Sequence, residues 1–375
     1  MNHLLNNSAN IEKNPKEPYV SVLPHVCIVI PTFYAGQALK LVLHSIAELD
    51  YPRDRISTTV VADTNDDEAK KYVNEVKETG TLNVDLKLLE TPNADIERNY
   101  GLRHSPDRFV MLVDDDTLLE KNCLKKALEI ILSDQHIAAV AFPAMPKYPR
   151  IDEKLNYGRF IGAQTSVNAV SPCTLFRMDA LEEVGFYRED MGPPNSIHED
   201  WELGSRLEKH GYRVVIDGTV VLNHVYDLTD RKKDPQKFHL DKKDVKYMGL
   251  RSPISKSINY VKGYATKHWW SMLQVLKVSP LSQLLEYVFY FMNPILLLIL
   301  ILNNRFYSST YFVSIFVLII FWSFFKGHYK TYGYNDRFGY PIILFVVRSV
   351  RTYAFIIGLT LNAFKNKIYK GVSEF

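Results

Sequence analysis

The sequence is poor in cysteine, in net charge and in apolar residues near its start. Only three cysteines occur among 375 residues, and Cys27, Cys123 and Cys173 are too widely spaced for a metal-binding pattern or a disulfide framework. Such usage is typical of a reducing compartment. A formal net charge of +3 gives no reason to expect nucleic acid as a partner. Residues 1–24 contain no apolar run of the signal-peptide type, so we expect the part that follows to be cytosolic.

Long apolar stretches are confined to the C-terminal part of the chain. Between 281 and 362 they read LLEYVFYFMNPILLLILIL, STYFVSIFVLIIFWSFF and PIILFVVRSVRTYAFIIGLTL. The first is long enough to cross a hydrocarbon core of about 30 Å. The third is interrupted by Arg348 and Arg351, and basic residues on both sides of it favour two spans plus a re-entrant or interfacial helix over three spans. We therefore expect an integral membrane protein.

A segment of mixed composition precedes the first apolar stretch. YATKHWWSMLQVLK places Trp269, Trp270, Leu273 and Leu276 among lysines, which is typical of a helix lying in the membrane interface. The alternative is a soluble amphipathic helix that packs on the preceding domain. The predicted divisions are a flexible lead at 1–24, a folded domain at 25–240, an interfacial linker at 241–280 and a membrane region at 281–375.

Short apolar runs alternate with segments of helical spacing between residues 25 and 145. HVCIVIPTF, for example, predicts a buried strand, and Leu39, Val42, Leu43 and Ile46 predict the helix after it. Regular alternation of this kind predicts an α/β fold, with a mostly parallel sheet and helices on both faces. In such sheets, ligands bind outside the carboxyl ends of the strands.

The stretch RFVMLVDDDTLLEKN ends a predicted strand on Asp114, Asp115 and Asp116. Adjacent carboxylates repel one another unless a cation or hydrogen bonds compensate. Because alternate residues of a strand point the same way, Asp114 and Asp116 are expected to face one site while Asp115 turns elsewhere. Two carboxylates on one side suit Mg²⁺ or Mn²⁺. The alternative is that Asp116 caps the next helix and the other two are solvated.

Five short motifs occur in order, VCIVIPTF, VVADTNDD, ERNYGL, MLVDDD and HEDWELGSRLEKHGY. Together they resemble the family-2 glycosyltransferases over roughly residues 25–228. The resemblance implies the GT-A fold, with a mixed, mostly parallel sheet, and a catalytic domain within residues 25–240. It also implies a nucleotide-diphosphate sugar, a UDP- or GDP-sugar, as donor.

Donor-site residues follow from the resemblance, motif by motif. The opening strand and its Pro-Thr pair border the nucleotide in this family, the acid that ends the second strand contacts the base, and an Arg-Asn-x-Gly element lies beside the donor. The residues carried over are Pro31, Thr32, Tyr34, Asp63, Arg98, Asn99 and Gly101, with Asp115 also placed on the donor side. Asp63 stands in ADTNDD rather than in the family's usual Asp-Asp-Gly-Ser pattern, which leaves its contact with the base open.

Metal ligands also follow from the resemblance. Asp114 and Asp116 match the fixed positions of the family's Asp-x-Asp motif, and they imply a Mn²⁺ or Mg²⁺ cofactor. The cation would neutralise charge that grows on the diphosphate leaving group. His224 is placed where many members have a third metal ligand, and a structural histidine is the alternative.

Glu199 and Asp200 form a second acid pair, in the motif HED. Acids at a helix start also complement the helix dipole, which is the alternative to a catalytic role. The resemblance implies that Asp200 is the base that deprotonates the acceptor hydroxyl, so that direct displacement inverts the anomeric centre. On the acceptor side, Trp201 is predicted to stack on a sugar or to lie in the core, and Arg206 to contact phosphate or to form an ion pair.

The expected reaction is a single transfer. Processive members of the broad family carry a Gln-x-x-Arg-Trp element, which residues 225–300 lack. We expect transfer to a hydroxyl of a lipid-linked or envelope glycan at the cytosolic membrane face. The alternatives are a polyprenyl-phosphate sugar synthase and a non-catalytic nucleotide-sugar-binding domain. A phosphatase of the haloacid dehalogenase type is disfavoured, because Thr117 and Leu118 do not fit its motif.

Overall fold

A computed structural model of the protein describes residues 23–90, 93–145, 160–162, 164–167, 172–191, 198–225 and 269–279, with isolated positions between 281 and 360. Within this part of the chain, no helix has both the length and the apolar character needed to cross a bilayer. The stretches predicted as membrane spans lie outside the described residues, apart from those isolated positions.

Strands make up one large sheet and one small sheet. The described residues form eleven strands: β1 Val26–Thr32, β2 Ile56–Asp63, β3 Val84–Leu89, β4 Phe109–Val113, β5 Thr117–Leu118, β6 Ile137–Ala141, β7 Ala144–Met145, β8 Gln164–Val167, β9 Cys173–Arg177, β10 Arg213–Asp217 and β11 Leu222–His224. The large sheet has eight strands in the order β3-β2-β1-β4-β9-β6-β10-β8. Strands β3, β2, β1 and β4 pair in parallel, as do β6 and β10, whereas β8 and β9 are antiparallel to their neighbours. The predicted α/β fold with a mostly parallel sheet is confirmed.

Helices cover both faces of the large sheet. They are α1 Gln37–Ala47, α2 Asp67–Thr79, α3 Ala94–Arg103, α4 Cys123–Ser133, α5 Met178–Val184, α6 Glu199–Lys209 and α7 Trp269–Val278. Successive residues of β1 point to opposite sides, as a strand requires. Ile28 and Ile30 join an apolar cluster with α1, α2 and α4, while Cys27 and Val29 join a second cluster with α3, α5 and α6.

Local chemistry sets the ends of α2. Asp66 precedes the helix, and its carboxylate accepts a hydrogen bond from the backbone N–H of Ala69 at 2.9 Å. Such a cap satisfies one of the N–H groups that the first helical turn leaves unpaired. At the other end, Gly80 adopts a left-handed conformation with φ 61°, which ends the helix.

The two-residue strand β5, strands β8 and β9 and helix α5 were not predicted. The last three fall between residues 144 and 198, where proline and glycine interrupt the periodic pattern. Strand β9 inserts between β4 and β6 and runs antiparallel to both, so the sheet is mixed. As a result, Pro172, which precedes β9, lies next to the acids after β4. The N–H of Asp114 donates to the carbonyl of Pro172 at 2.8 Å.

The small sheet lies beside the same acids. Its three strands have the order β5-β11-β7. In the antiparallel pairing of β11 with β5, His224 is opposite Thr117. Thr117 directly follows Asp116, so this pairing places His224 close to Asp116.

Candidate functional site

Neighbouring strands end in polar residues at one edge of the large sheet. Strand β1 ends at Thr32, β2 ends at Asp63, and β4 ends at Val113, directly before Asp114. Because β2, β1 and β4 are adjacent and parallel, these ends meet on the same edge. This is the edge at which sheets of this class bind ligands, so the predicted location of the site agrees with the topology.

Asp115 connects β1 to the loop after β4. Its Oδ2 accepts hydrogen bonds from Oγ1 of Thr32 at 2.9 Å and from the N–H of Phe33 at 3.2 Å. The residue is 2% exposed, so the middle aspartate is buried against the end of β1. These contacts give Asp115 a supporting role, and its predicted contact with a donor stays a prediction.

Tyr34 lies in a turn beside the acids that follow β2. Its N–H donates to Oδ2 of Asp66 at 2.8 Å, and its hydroxyl lies 3.4 Å from Oδ1 of Asp63. Burial, together with the charges of Asp63 and Asp66, raises the pKa of Tyr34 to about 12. Its φ of 55° is unusual for a residue with a side chain and shows that the surrounding contacts fix the turn. Tyr34 and Asp63, both predicted on the donor side, thus lie in contact at the end of β2.

Arg98 lies at the centre of a cluster of carboxylates. Its Nη1 donates to Asp95 at 2.8 Å and to Glu199 at 3.3 Å. Its Nη2 lies 3.5 Å from Oδ1 of Asp114. Although burial opposes its charge, the carboxylates of Asp114, Asp200, Glu199 and Asp95 raise the pKa of Arg98. One guanidinium therefore links the acids after β4 to the acids that open α6.

Asp95 is a member of this cluster that the sequence analysis missed. It is completely buried, and burial raises its pKa to about 7 despite the nearby Arg98. Its position three residues before Arg98 on α3 is the only sequence signal, because residues at this spacing face one another on a helix. Such pairs are frequent on exposed helices, so the spacing alone does not indicate a buried site.

Asp200 is the second residue of α6 and lies next to this cluster. Burial is the main cause that raises the pKa of Asp200 well above its usual value, and the charge of Glu199 adds to it, whereas Arg98 acts in the opposite direction. A carboxylate with a raised pKa takes up a proton more readily than an ordinary aspartate. This environment fits the predicted base.

Asp116 and His224 form a close pair. Nε2 of His224 lies 2.9 Å from Oδ1 of Asp116, and the Asp116 side chain is 6% exposed. An imidazole and two carboxylates are donors that Mn²⁺ accepts. In the part of the chain that the structure describes, however, no group of three or more His, Cys, Asp or Glu side chains is arranged to hold one ion. Asp116 and His224 are thus assembled, while Asp114 is directed toward Arg98.

Asn99 and Gly101, both predicted beside the donor, contact neighbouring parts of the domain. Asn99 donates from Nδ2 to the carbonyl of Tyr187 at 2.8 Å and accepts from the N–H of the same residue at 2.9 Å. A Cβ on Gly101 would lie 2.2 Å from Cγ1 of Val29, so only glycine lets α3 approach β1 this closely. Both residues hold the helix that carries Arg98.

The two acceptor-side candidates have different surroundings. Arg206 donates from Nε to both carboxylate oxygens of Glu202 at 2.9 Å and from its other nitrogens to the carbonyls of Val184, Gly185 and Phe186. The predicted phosphate contact is therefore replaced by the ion-pair alternative, because these partners occupy the guanidinium. Trp201 is partly buried, with its ring centroid 6.1 Å from that of His198. Its exposure is therefore intermediate between that of a core residue and that of a ring open to a sugar.

An α/β domain with acids gathered at the carboxyl edge of a mixed sheet is the architecture of a ligand-binding enzyme of the open-sheet class. Residues 24–235 match the family described as Glycosyltransferase like family 2. Because this match covers more than half of the chain, the protein belongs to that family. The family agrees with the resemblance drawn from the motifs and with the α/β, GT-A-like organisation of the sheet.

Two relatives from Staphylococcus aureus match parts of the chain. Poly(ribitol-phosphate) beta-N-acetylglucosaminyltransferase TarS is 29% identical over 111 residues, which cover 29% of this chain and 19% of TarS. Poly-beta-1,6-N-acetyl-D-glucosamine synthase is 23% identical over 218 residues, which cover 53% of this chain and 50% of the synthase. The chain thus spans half or less of the length of these curated relatives.

Solved structures overlap with the chain in part. The mannosyltransferase PcManGT from Pyrobaculum calidifontis, in complex with GDP-Man and Mn²⁺, aligns with a TM-score of 0.48 at 18% identity over 92% of this chain and 91% of that one. Residues 1–349 of S. aureus TarS, in complex with UDP-GlcNAc, align with a TM-score of 0.46 at 17% identity over 65% of this chain and 67% of that one.

Proposed function

We propose that the protein is an inverting glycosyltransferase that moves a sugar from a UDP- or GDP-sugar to a hydroxyl of a lipid-linked or envelope glycan. The main support for this proposal is the pair of contacts that Arg98 makes with two groups of acids. Its guanidinium contacts Asp114, on the donor side, and Glu199, next to the predicted base. A transferase needs these two groups of acids close together, because the leaving group and the attacking hydroxyl lie on opposite sides of one carbon atom.

Asp200 is the proposed base. It accepts the proton of the acceptor hydroxyl while the oxygen attacks the anomeric carbon, and the nucleoside diphosphate leaves from the opposite face. The raised pKa of Asp200 makes it a stronger proton acceptor, provided that the carboxyl is ionised before the reaction. Arg98 favours that ionised form because it lowers the pKa of Asp200 against the effect of burial.

A divalent cation fits the donor side. Asp116 and His224 would hold Mn²⁺ or Mg²⁺, and Asp114 is the proposed further ligand. When bound, the cation supplies positive charge for the diphosphate. Tyr34 and Asp63 are proposed to border the nucleoside, since their polar groups lie together at the end of β2.

The relatives suggest which donor to test first. Both carry N-acetylglucosamine in their names, and S. aureus TarS has been crystallised with UDP-GlcNAc. We therefore propose UDP-GlcNAc as the first donor and GDP-Man as the second, the latter from PcManGT.

Membrane attachment completes the proposal. The apolar stretches between 281 and 362 support an integral membrane protein whose catalytic domain faces the cytosol. The full chain is expected to sediment with membranes and to resist an alkaline wash that removes peripheral proteins. Release by that wash would contradict attachment through spans, and it would leave the transferase assignment intact.

The decisive experiment is a turnover assay. Purified full-length protein is incubated with UDP-GlcNAc or GDP-Man and a membrane-glycan extract, with Mn²⁺ or with EDTA, and released nucleotide and labelled product are both measured. Acceptor-dependent release of one nucleotide is expected, and EDTA should abolish it. Binding without turnover would favour the non-catalytic domain, and labelling of polyprenyl phosphate alone would favour the lipid-phosphate sugar synthase.

A further inference from the structure

Residues 186–191, which we call the strap, are fixed to α3 along one edge. Asn99 holds both backbone polar groups of Tyr187, as described above. The carboxylate of Glu189 accepts from Nδ2 of Asn99 at 2.9 Å and from Nη1 of Arg103 at 2.8 Å. The strap is therefore anchored to the helix that carries Arg98.

Arg188 extends from the other edge of the strap toward α7. Its Nη1 donates to Oε1 of Gln274 at 3.1 Å, and its guanidinium carbon lies 5.4 Å from the ring centroid of Trp270. Asp190 accepts from its Nε at 3.0 Å and from its Nη2 at 2.7 Å, which fixes the plane of the guanidinium. One arginine therefore binds α7 by a hydrogen bond and by a cation–π contact.

Helix α7 has a second polar contact, at the start of α6. Oγ of Ser271 lies 3.1 Å from Nδ1 of His198. His198 directly precedes Glu199 and Asp200, and its carbonyl accepts the N–H of Glu202 at 2.9 Å, which closes the first turn of α6. The φ of His198 is 84°, a conformation that surrounding contacts must hold in a residue with a side chain.

The interface between α7 and the domain is packed as well as polar. Ser271, Met272 and Val275 are each at most 1% exposed, and Gln274 is 6% exposed. The Ser271 and Gln274 contacts place this face of the helix toward α6 and the strap. Displacement of α7 would uncover that face and remove the Ser271 contact from His198.

We propose that Arg188 is a positioning residue: through Gln274 and Trp270 it holds α7 on the strap, and α7 in turn holds His198 and so the first turn of α6, which carries Asp200. This inference rests on the proposed function. Arg188 acts on the placement of the base and not on the donor. Its loss should therefore slow transfer to the acceptor and leave nucleotide binding unchanged.

The test compares Arg188→Ala, Gln274→Ala and the double variant, with UDP-GlcNAc and GDP-Man as donors. We expect kcat to fall by about tenfold in Arg188→Ala, because a small misplacement of a catalytic group is costly. The Kd for UDP and GDP, measured by calorimetry with Mn²⁺, should stay within about twofold of the wild-type value, since the donor side is untouched. The double variant should be no slower than Arg188→Ala, because both changes remove the same contact.

Two controls separate positioning from stability. Arg55→Ala removes another partly exposed arginine that pairs with a neighbouring aspartate, Asp54, and it should leave kcat unchanged. Hydrogen exchange should show faster exchange across residues 269–278 in Arg188→Ala and not in Arg55→Ala. Arg188→Lys keeps the charge but not the planar fork, so its kcat should lie between those of wild type and Arg188→Ala.

The outcomes are distinct. Unchanged kcat in Arg188→Ala overturns the positioning role, whether or not the exchange of α7 increases. An equal loss of kcat and of nucleotide affinity also overturns it, because a general structural defect would then explain both. A wild-type protein that turns over no sugar nucleotide overturns the proposed function itself, and that result is visible before any variant is made.

Discussion

Asp116 and His224 lie side by side, with 2.9 Å between Oδ1 and Nε2, although they come from strand ends that are far apart in the sequence. The pairing of β11 with β5 brings them together. This contact places one carboxylate oxygen and one imidazole nitrogen together at the edge where the proposed cation would bind.

Asp116→Asn is expected to remove metal-dependent nucleotide binding. An amide lacks the charge that holds the cation, so the Kd for the bound nucleotide in Mn²⁺ should rise by more than about tenfold. Calorimetry with Mn²⁺ and with EDTA measures this change. Asp54→Asn, at an aspartate whose side chain is 80% exposed, is the matched control. Equal Mn²⁺ enhancement in Asp116→Asn and wild type would contradict the metal assignment.

Asp200→Asn is expected to abolish transfer while nucleotide binding is retained. Loss of a general base costs about 10² to 10⁴ in rate. Glu208→Gln, at an exposed acid on the same helix, should retain wild-type kcat. Wild-type turnover in Asp200→Asn would remove this residue from the mechanism.

The rate of transfer should also depend on pH through Asp200. The base acts only when ionised, and the pKa of Asp200 is raised above its usual value. Activity should therefore be full at high pH and fall as the pH drops through that raised pKa. A profile of kcat/KM against pH checks this prediction, and a rate that rises toward acid pH would contradict it.

Gly101→Ala is expected to destabilise the domain. The new methyl group would lie 2.2 Å from Cγ1 of Val29, and overpacking of this kind costs about 1–3 kcal/mol in the free energy of unfolding. Removing the obstructing atoms in Gly101→Ala/Val29→Ala should recover part of the loss, so the two changes should be non-additive. Thermal unfolding of both single variants and the double variant measures the coupling. Additive losses would show that Val29 is not the obstacle.

Asp95→Asn is expected to flatten the dependence of stability on pH. The pKa of Asp95 in the folded protein is about 7, against a usual value of 3.8. Between these values the folded protein retains a proton that the unfolded chain has released. Wild-type stability should therefore fall as the pH rises toward about 7 and stay level above it. Asparagine does not titrate, so the unfolding midpoint of the variant should change less over this pH range. Parallel curves of unfolding midpoint against pH for variant and wild type would contradict the assignment.

Much of the fold follows from local patterns, and the site follows only in part. Strands β1, β4 and β6 were predictable because each is a short apolar run, whereas the two-residue strand β5 was not predicted. Strand β9 was not predicted either, since its antiparallel insertion between β4 and β6 depends on pairing across the sheet. No local pattern encodes which strands become neighbours.

Site residues divide in the same way. The motifs identified Arg98, Asp114 and Glu199 separately. That the guanidinium of Arg98 contacts both acids is seen only in the folded chain. Arg206 shows the converse. Its motif suggested a ligand contact, but Glu202 lies one helical turn away and pairs with it. The spacing of the two residues shows that an ion pair can form, and only the packing in the folded chain shows that it does form.

The hydrogen bonds from Thr32 and Phe33 to Asp115 have a thermodynamic consequence for binding at this edge. They order the loop between Asp114 and Asp116 in advance, so a ligand that meets the outer carboxylates does not have to immobilise the backbone between them. The entropic cost of association is correspondingly small.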